Sequence, residues 1–114
     1  MYFGADSGLW LAVIDNRPAG CVALRPLPGI FAAGEVKRLY VQLVFRGRGI
    51  AASLYGHLEE YAVESGYRWL YLDTAAEMTA AQRFYATLGY EVCNRYNDNP
   101  QASIFMRKQL LNLA

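Results

Sequence analysis

The sequence predicts an α/β fold: an α+β domain with helices packed on one mixed sheet. Three observations lead there. Two apolar segments, "LWLAVI" and "CVALRPL", are separated by "DNRPAG", a turn composition that joins antiparallel strands. Further on, a helical apolar pattern lies between two strand patterns, which calls for a crossover and a locally parallel pair. The chain has 114 residues, enough for a single domain, 1–114, with one core.

The elements follow in order. Residues 9–14 read as a buried strand, 15–20 as a turn and 21–27 as the returning strand. "EVKRLYV" (35–41) is a third strand. Strict alternation would put Glu35, Lys37, Leu39 and Val41 on one face and Val36, Arg38 and Tyr40 on the other. A helix is predicted over 48–65 from Ile50, Ala51, Leu54, Tyr55, Leu58, Tyr61 and Ala62 at helical spacing, with Gly66 as its stop. "RWLYLDT" (68–74) is a strand, and Ala81, Phe84, Tyr85 and Leu88 mark a short helix over 77–88, closed by Gly89. "YEVCNRY" (90–96) and "SIFMRKQL" (103–110) are the last strands, joined through "NDNP". The predicted order is β-β-β-α-β-α-β-β.

Composition narrows the function. The chain is 54% hydrophobic and 18% charged, with a net charge of +1. That excludes a general nucleic-acid or anionic-membrane binder, which needs a broad cationic excess, but leaves room for a local anion site. No apolar run approaches a membrane span. Cys21 and Cys93 sit outside any CxxC pattern and follow no signal peptide, so free thiols and a cytoplasmic location are expected. The one histidine, His57, falls inside the helical pattern, so no metal site is expected.

The chemistry concentrates in "YVQLVFRGRGIAASL" (40–54). Here a glycine-bearing loop leaves a strand and opens a helix. The first N–H groups of a helix lack internal partners, and the helix dipole is positive there. Glycines let a backbone approach a ligand, and arginines add donors for phosphate oxygens. The loop is not a Walker A sequence, since GK[ST] is missing, nor a dinucleotide GxGxxG, since the third glycine position holds Ala52. A plain surface turn with solvated arginines fits the loop taken alone.

Taken with its surroundings, the loop resembles the acetyl-CoA signature of the GNAT-superfamily N-acetyltransferases, Q/R-x-x-G-x-G/A, with Arg46, Gly49 and Ala51 in the signature positions. "AAQRFYATLGY" resembles the family's second signature through Ala81, Phe84, Tyr85, Gly89 and Tyr90. The resemblance covers about residues 9–110 and implies a GNAT-like acyl-CoA N-acyltransferase fold. It implies acetyl-CoA as co-substrate, its pyrophosphate on the N–H groups of Arg46, Gly47, Arg48, Gly49, Ile50 and Ala51. The pantetheine would lie along the third strand near Leu39 and Val41, where that strand splays from its parallel neighbour, with Ala81 and Tyr85 lining the far side. Glu35 is the implied general base and Tyr85 the implied general acid for the departing thiolate. Tyr96, Asn97 and Asn99 fall near the acceptor end. The acceptor would be a primary amine of a small molecule or peptide.

The chain departs from the pattern at Leu43, where the family usually has proline, and at Met78, where many members have asparagine. Only "MYFGADSG" precedes the first strand, so the usual N-terminal strand and helices are expected to be missing, shortened or supplied by another chain. A homodimer covering Tyr2, Phe3 and Trp10 would supply such a wall; a fragment of a longer product is the alternative. The competing functional reading is a non-catalytic acyl-CoA-binding or regulatory module that has lost its acceptor site.

Overall fold

The computed structural model describes residues 7–110. Its elements are β1 (Gly8–Ile14), β2 (Arg17–Pro26), β3 (Ala33–Val41), a 3-10 turn (Leu43–Phe45), α1 (Ile50–Glu64), β4 (Trp69–Thr74), α2 (Thr79–Thr87), β5 (Glu91–Cys93) and β6 (Ile104–Gln109). The six strands form one sheet in the order β1-β2-β3-β4-β6-β5. Only β3 and β4 run parallel; the other neighbouring pairs are antiparallel. The predicted mixed sheet, hairpin and two crossover helices are all present.

The hairpin turn is tighter than the sequence suggested. Ile14 pairs with Arg17, which leaves Asp15 and Asn16 as a two-residue loop with φ of 50° and 63°. Such turns need left-handed backbone at both positions, and Asp and Asn tolerate it best after glycine. Pro18 and Gly20, expected in the turn, therefore belong to β2. Pro18 lies past the last β3 partner, where Val41 faces Gly20, so its missing N–H takes nothing from that ladder.

β3 corrects a second expectation. Its register on β2 runs Glu35–Arg25, Val36–Leu24, Lys37–Ala23 and then Tyr40–Cys21. Two residues, Arg38 and Leu39, thus stand opposite Val22 alone, and Arg38 adopts φ 61°. This bulge flips the alternation. Val36, Leu39 and Val41 face the helices and pack on the core, whereas Glu35 and Lys37 face the other way. Glu35 and Val41 are on opposite faces of the sheet, not on one.

The core lies on the helical face. Ile50, Leu54, Tyr55, Leu58 and Ala62 of α1 are buried against Val22, Leu24, Val36, Leu70, Leu72 and Met106. A fully buried leucine of this kind contributes about 2–3 kcal/mol. Tyr55 donates to Glu59 Oε1 at 2.8 Å, and Lys108 Nζ reaches the same oxygen at 2.6 Å. This pairing ties α1 to β6. Trp10 packs edge-on against Tyr61, ring centres 5.4 Å apart, so it belongs to this helical side; Tyr2 and Phe3 lie outside the described residues. The exposed apolar side chains of β1 are Leu9, Leu11 and Val13.

β5 stops at Cys93 rather than at residue 96. The Arg95 guanidinium pulls the chain out of the ladder. It donates to the carbonyls of Asn97, Asn99 and Ala102 at 3.1–3.2 Å and stacks over Phe105 at 4.6 Å. Tyr96 and Asn97 are thereby laid across the open face of the sheet.

Candidate active site

The loop before α1 forms the first half of the site. Gly47 and Gly49 have φ of 82° and 77°, a region that glycine alone enters without penalty. Gly49 is the N-cap of α1, with no side-chain cap and no acidic residue in the first turn. Ser53 N closes the first helical bond onto Gly49 O at 3.0 Å, so the preceding N–H groups have no intrahelical acceptor. A cavity of about 170 Å³ opens onto them, lined by Val41, Phe45, Arg46, Gly47, Gly49, Ile50, Ala51, Ala52 and Phe84. A Cβ at Gly47 or Gly49 would meet nothing within 4 Å. The residues present therefore fit a diphosphate: open backbone donors, a positive helix end and adjacent arginine.

Most of the residues expected to bind the co-substrate meet here, but not all. Val41, Arg46, Gly47, Gly49, Ile50 and Ala51 line the cavity. Arg48 instead stacks on the Phe45 ring at 5.5 Å. Leu39 and Ala81 pack against the core, and the α2 residue at the cavity is Phe84. Phe84 and Phe45 were not singled out as ligand contacts; an aromatic one turn from Ala81 was the available signal. Arg46 Nε donates to Val41 O at 2.9 Å, which ties the loop to the end of β3.

Beside the cavity the sheet opens. β3 and β4 pair only through Ala33–Trp69, Gly34–Leu70 and Glu35–Tyr71. Beyond Glu35 the two strands part, and among the described residues no strand pairs with the β4-facing edge of β3 there. Tyr85 of α2 is buried, and its hydroxyl has no hydrogen-bond partner among the described residues. Burial, and after it the nearby Asp73 carboxylate, push its pKa up to about 12. A phenol at that value stays protonated at neutral pH.

The second half lies on the opposite face. Glu35 is fully buried. Its Oε1 accepts from Arg25 at 2.7 and 2.8 Å. Its Oε2 accepts from Tyr96 at 2.8 Å and from Asn97 and Lys37 at 3.2 Å. Burial alone would raise its pKa, but these donors and the Lys37 charge outweigh it and hold the carboxyl below its ordinary value. Lys37 also bridges to Asp73 Oδ2 at 3.0 Å, and Asn97 reaches that oxygen at 2.6 Å. Tyr96 and Asn97 were placed near the acceptor end from the resemblance, and they do converge on Glu35. Asn99 lies farther off, 3.5 Å from Asp73. Asp73 was read only as the end of a strand. The available signal was an acidic residue closing the apolar "WLYLD" run beside a strand that carries Lys37.

A larger cavity, about 550 Å³, opens beside this network, lined in part by Tyr71, Cys93, Tyr96 and Arg107. Both cysteines are free. Among the described residues no helix is long and apolar enough to cross a membrane.

The chain thus combines a cavity at the uncapped N-terminus of α1 with a parallel strand pair that parts beyond Glu35. Residues 2–90 match the acetyltransferase (GNAT) family. An uncharacterized N-acetyltransferase of Schizosaccharomyces pombe is 31% identical over 111 residues, covering 95% of this chain and 68% of that protein. Among solved structures, a GNAT-family acetyltransferase of Staphylococcus aureus aligns with a TM-score of 0.85 at 20% identity, covering 92% of this chain and 69% of that one. PaiA N-acetyltransferase of Thermoplasma acidophilum, solved with coenzyme A, aligns with a TM-score of 0.76 at 20% identity, covering 91% and 61%. At that identity the two structures speak to the fold. The chain belongs to the GNAT family of acetyl-CoA-dependent N-acetyltransferases.

Proposed function

We propose that this protein moves the acetyl group of acetyl-CoA directly onto a primary amine of a small molecule or peptide. The carrying observation is the cavity at the uncapped N-terminus of α1, set beside the opening between β3 and β4. In this reading the N–H groups of residues 47–51 hold the pyrophosphate, the Arg46 N–H being taken by Leu43 O at 3.2 Å, and the pantetheine lies along β3 at Val41. The unpaired backbone there polarises the thioester carbonyl. Tyr85 protonates the departing thiolate, a role supported by its protonated, unpartnered hydroxyl.

Glu35 enters as an organiser. Its oxygens are filled by Arg25, Lys37, Tyr96 and Asn97, and so it holds those groups in place rather than touching the amine. A base role for Glu35 would need the Tyr96 hydroxyl to carry the proton. We further propose a cytoplasmic homodimer in which a second copy covers Leu9, Leu11 and Val13; sedimentation as a monomer at micromolar concentration would remove the dimer.

The test has two parts. Coenzyme A at 100 times its dissociation constant should stabilise the protein by about 2.7 kcal/mol, and no thermal shift with millimolar acetyl-CoA would defeat the reading. Amine-dependent thiol release across a panel of amines then separates an enzyme from a module that only binds coenzyme A.

A further inference from the structure

Glu35 being saturated, the amine nitrogen must lose its proton to another group. Asp73 is placed for it. Its side chain is 9% exposed, and every donor it receives (Lys37, Asn97 and Asn99) lands on Oδ2. Among the described residues nothing donates to Oδ1. Asp73 stands on β4 past the last residue paired to β3, at the opening where the thioester is proposed to lie. Tyr85, itself nine-tenths buried and unpartnered, is near enough to be perturbed by the Asp73 charge. Asp73 Oδ1 and the Tyr85 hydroxyl are thus each without a hydrogen-bond partner among the described residues, and neither satisfies the other.

We propose that Asp73 is a catalytic residue: its Oδ1 accepts a hydrogen bond from the attacking amine and takes the proton that nitrogen sheds as the C–N bond forms. This rests on the acetyl-transfer reading above. The neutral amine adds to the thioester carbonyl, and its nitrogen becomes positive and strongly acidic. Asp73 takes that proton. The C–S bond breaks with its electron pair on sulfur, and Tyr85 protonates the thiolate. Asp73 is left protonated and Tyr85 ionised, and passage of the proton from one to the other restores both. Net, one N–H proton ends on the coenzyme A thiol. Lys37, held on Oδ2, adds a positive charge beside the amine site and favours the nitrogen that has given up its proton. Glu35, Tyr96 and Asn97 fix Lys37 and the Asp73 carboxylate, which is why they crowd this face without reaching the opening.

The test uses Asp73→Asn in the full chain, with coenzyme A binding and circular dichroism as folding controls. The expected result is a kcat at pH 7 lower by about 100-fold or more, with the KM for acetyl-CoA within twofold of wild type. The deficit should shrink as pH rises to 9, because hydroxide then takes the proton the carboxylate no longer accepts. A kcat within threefold of wild type overturns the proposal. So does a deficit equal at pH 7 and pH 9, which marks a structural role. If Asp73→Asn fails to bind coenzyme A, Asp73→Ser, which also removes the accepting carboxylate, is judged by the same two criteria. A wild-type protein that acetylates no amine defeats the functional reading itself. Turnover lost in Tyr85→Phe but kept in Asp73→Asn defeats only the role of Asp73.

Discussion

Gly49 offers a test in which stability and binding move in opposite directions. Its backbone sits at φ 77°, ψ 13°. Gly49→Ala adds a methyl that meets no neighbour within 4 Å, so the loss is purely conformational, about 1–2 kcal/mol for a left-handed L-residue. At about 4 °C per kcal/mol for a domain of this size, the melting temperature falls by about 4–8 °C. Gly49→Glu suffers the same strain but places a carboxylate at the positive end of α1, recovering about 0.3–1 kcal/mol. The glutamate variant should therefore melt slightly above the alanine variant.

Binding reverses that order. The Gly49→Glu carboxylate would share the cradle with the pyrophosphate. Like charges about 5 Å apart repel by about 1–3 kcal/mol at the effective dielectric of a protein surface, which weakens coenzyme A about 5- to 150-fold relative to Gly49→Ala. Calorimetric titration with coenzyme A, beside melting curves of both free variants, reads the two effects separately. Equal affinity of the glutamate and alanine variants would refute the cradle. An alanine variant as stable as wild type would refute the backbone argument.

Other outcomes follow from the same geometry. Tyr85→Phe should lower kcat at least tenfold with unchanged melting temperature, because its hydroxyl has no hydrogen-bond partner among the described residues; Tyr96→Phe should lose about 1–3 kcal/mol of stability, since it strips a bond from the buried Glu35. Chemical denaturation across pH checks the carboxylates: Glu35 and Asp73 titrate below their ordinary values of 4.5 and 3.8, so their stabilisation is full above about pH 5 and is lost as pH falls through the depressed folded values. Asp73→Asn should flatten that decline. Phe84→Ala, which opens one wall of the cradle, should weaken coenzyme A several-fold by calorimetry. At Arg38, φ 61°, a valine should destabilise the fold more than a glycine in urea unfolding, because β-branched residues resist the left-handed region most.

What was legible in the sequence was local. The order of elements along the chain, α1 and the glycine loop each rest on neighbours within a few residues: turn formers within 15–20, a helical apolar stripe from Ile50 to Ala62, glycines at 47 and 49. Features that depended on a distant partner were not legible. The bulge exists only in the register of β3 against β2, so alternation within "EVKRLYV" could not reveal it. The early end of β5 depends on carbonyls two to seven residues beyond Arg95. Asp73 is defined by Lys37, 36 residues earlier, and by Asn97, 24 residues later. None of those separations leaves a periodic mark.

In the proposed mechanism the bulge is also what would let one strand serve two substrates. With unbroken alternation Glu35 and Lys37 would share a face with Leu39 and Val41, and their charges would press toward the apolar core beneath α1. One inserted residue opposite Val22 separates the two sets. Upstream of Arg38, β3 presents the buried Glu35 carboxylate and Lys37 to the open face. Downstream it turns apolar side chains toward the helices, beside the glycine loop that opens α1. The pairing of β3 with β4 ends at Glu35, and in the proposed mechanism the stretch beyond it, at the level of Lys37 and Asp73, is where an amine from one side would meet a thioester held from the other.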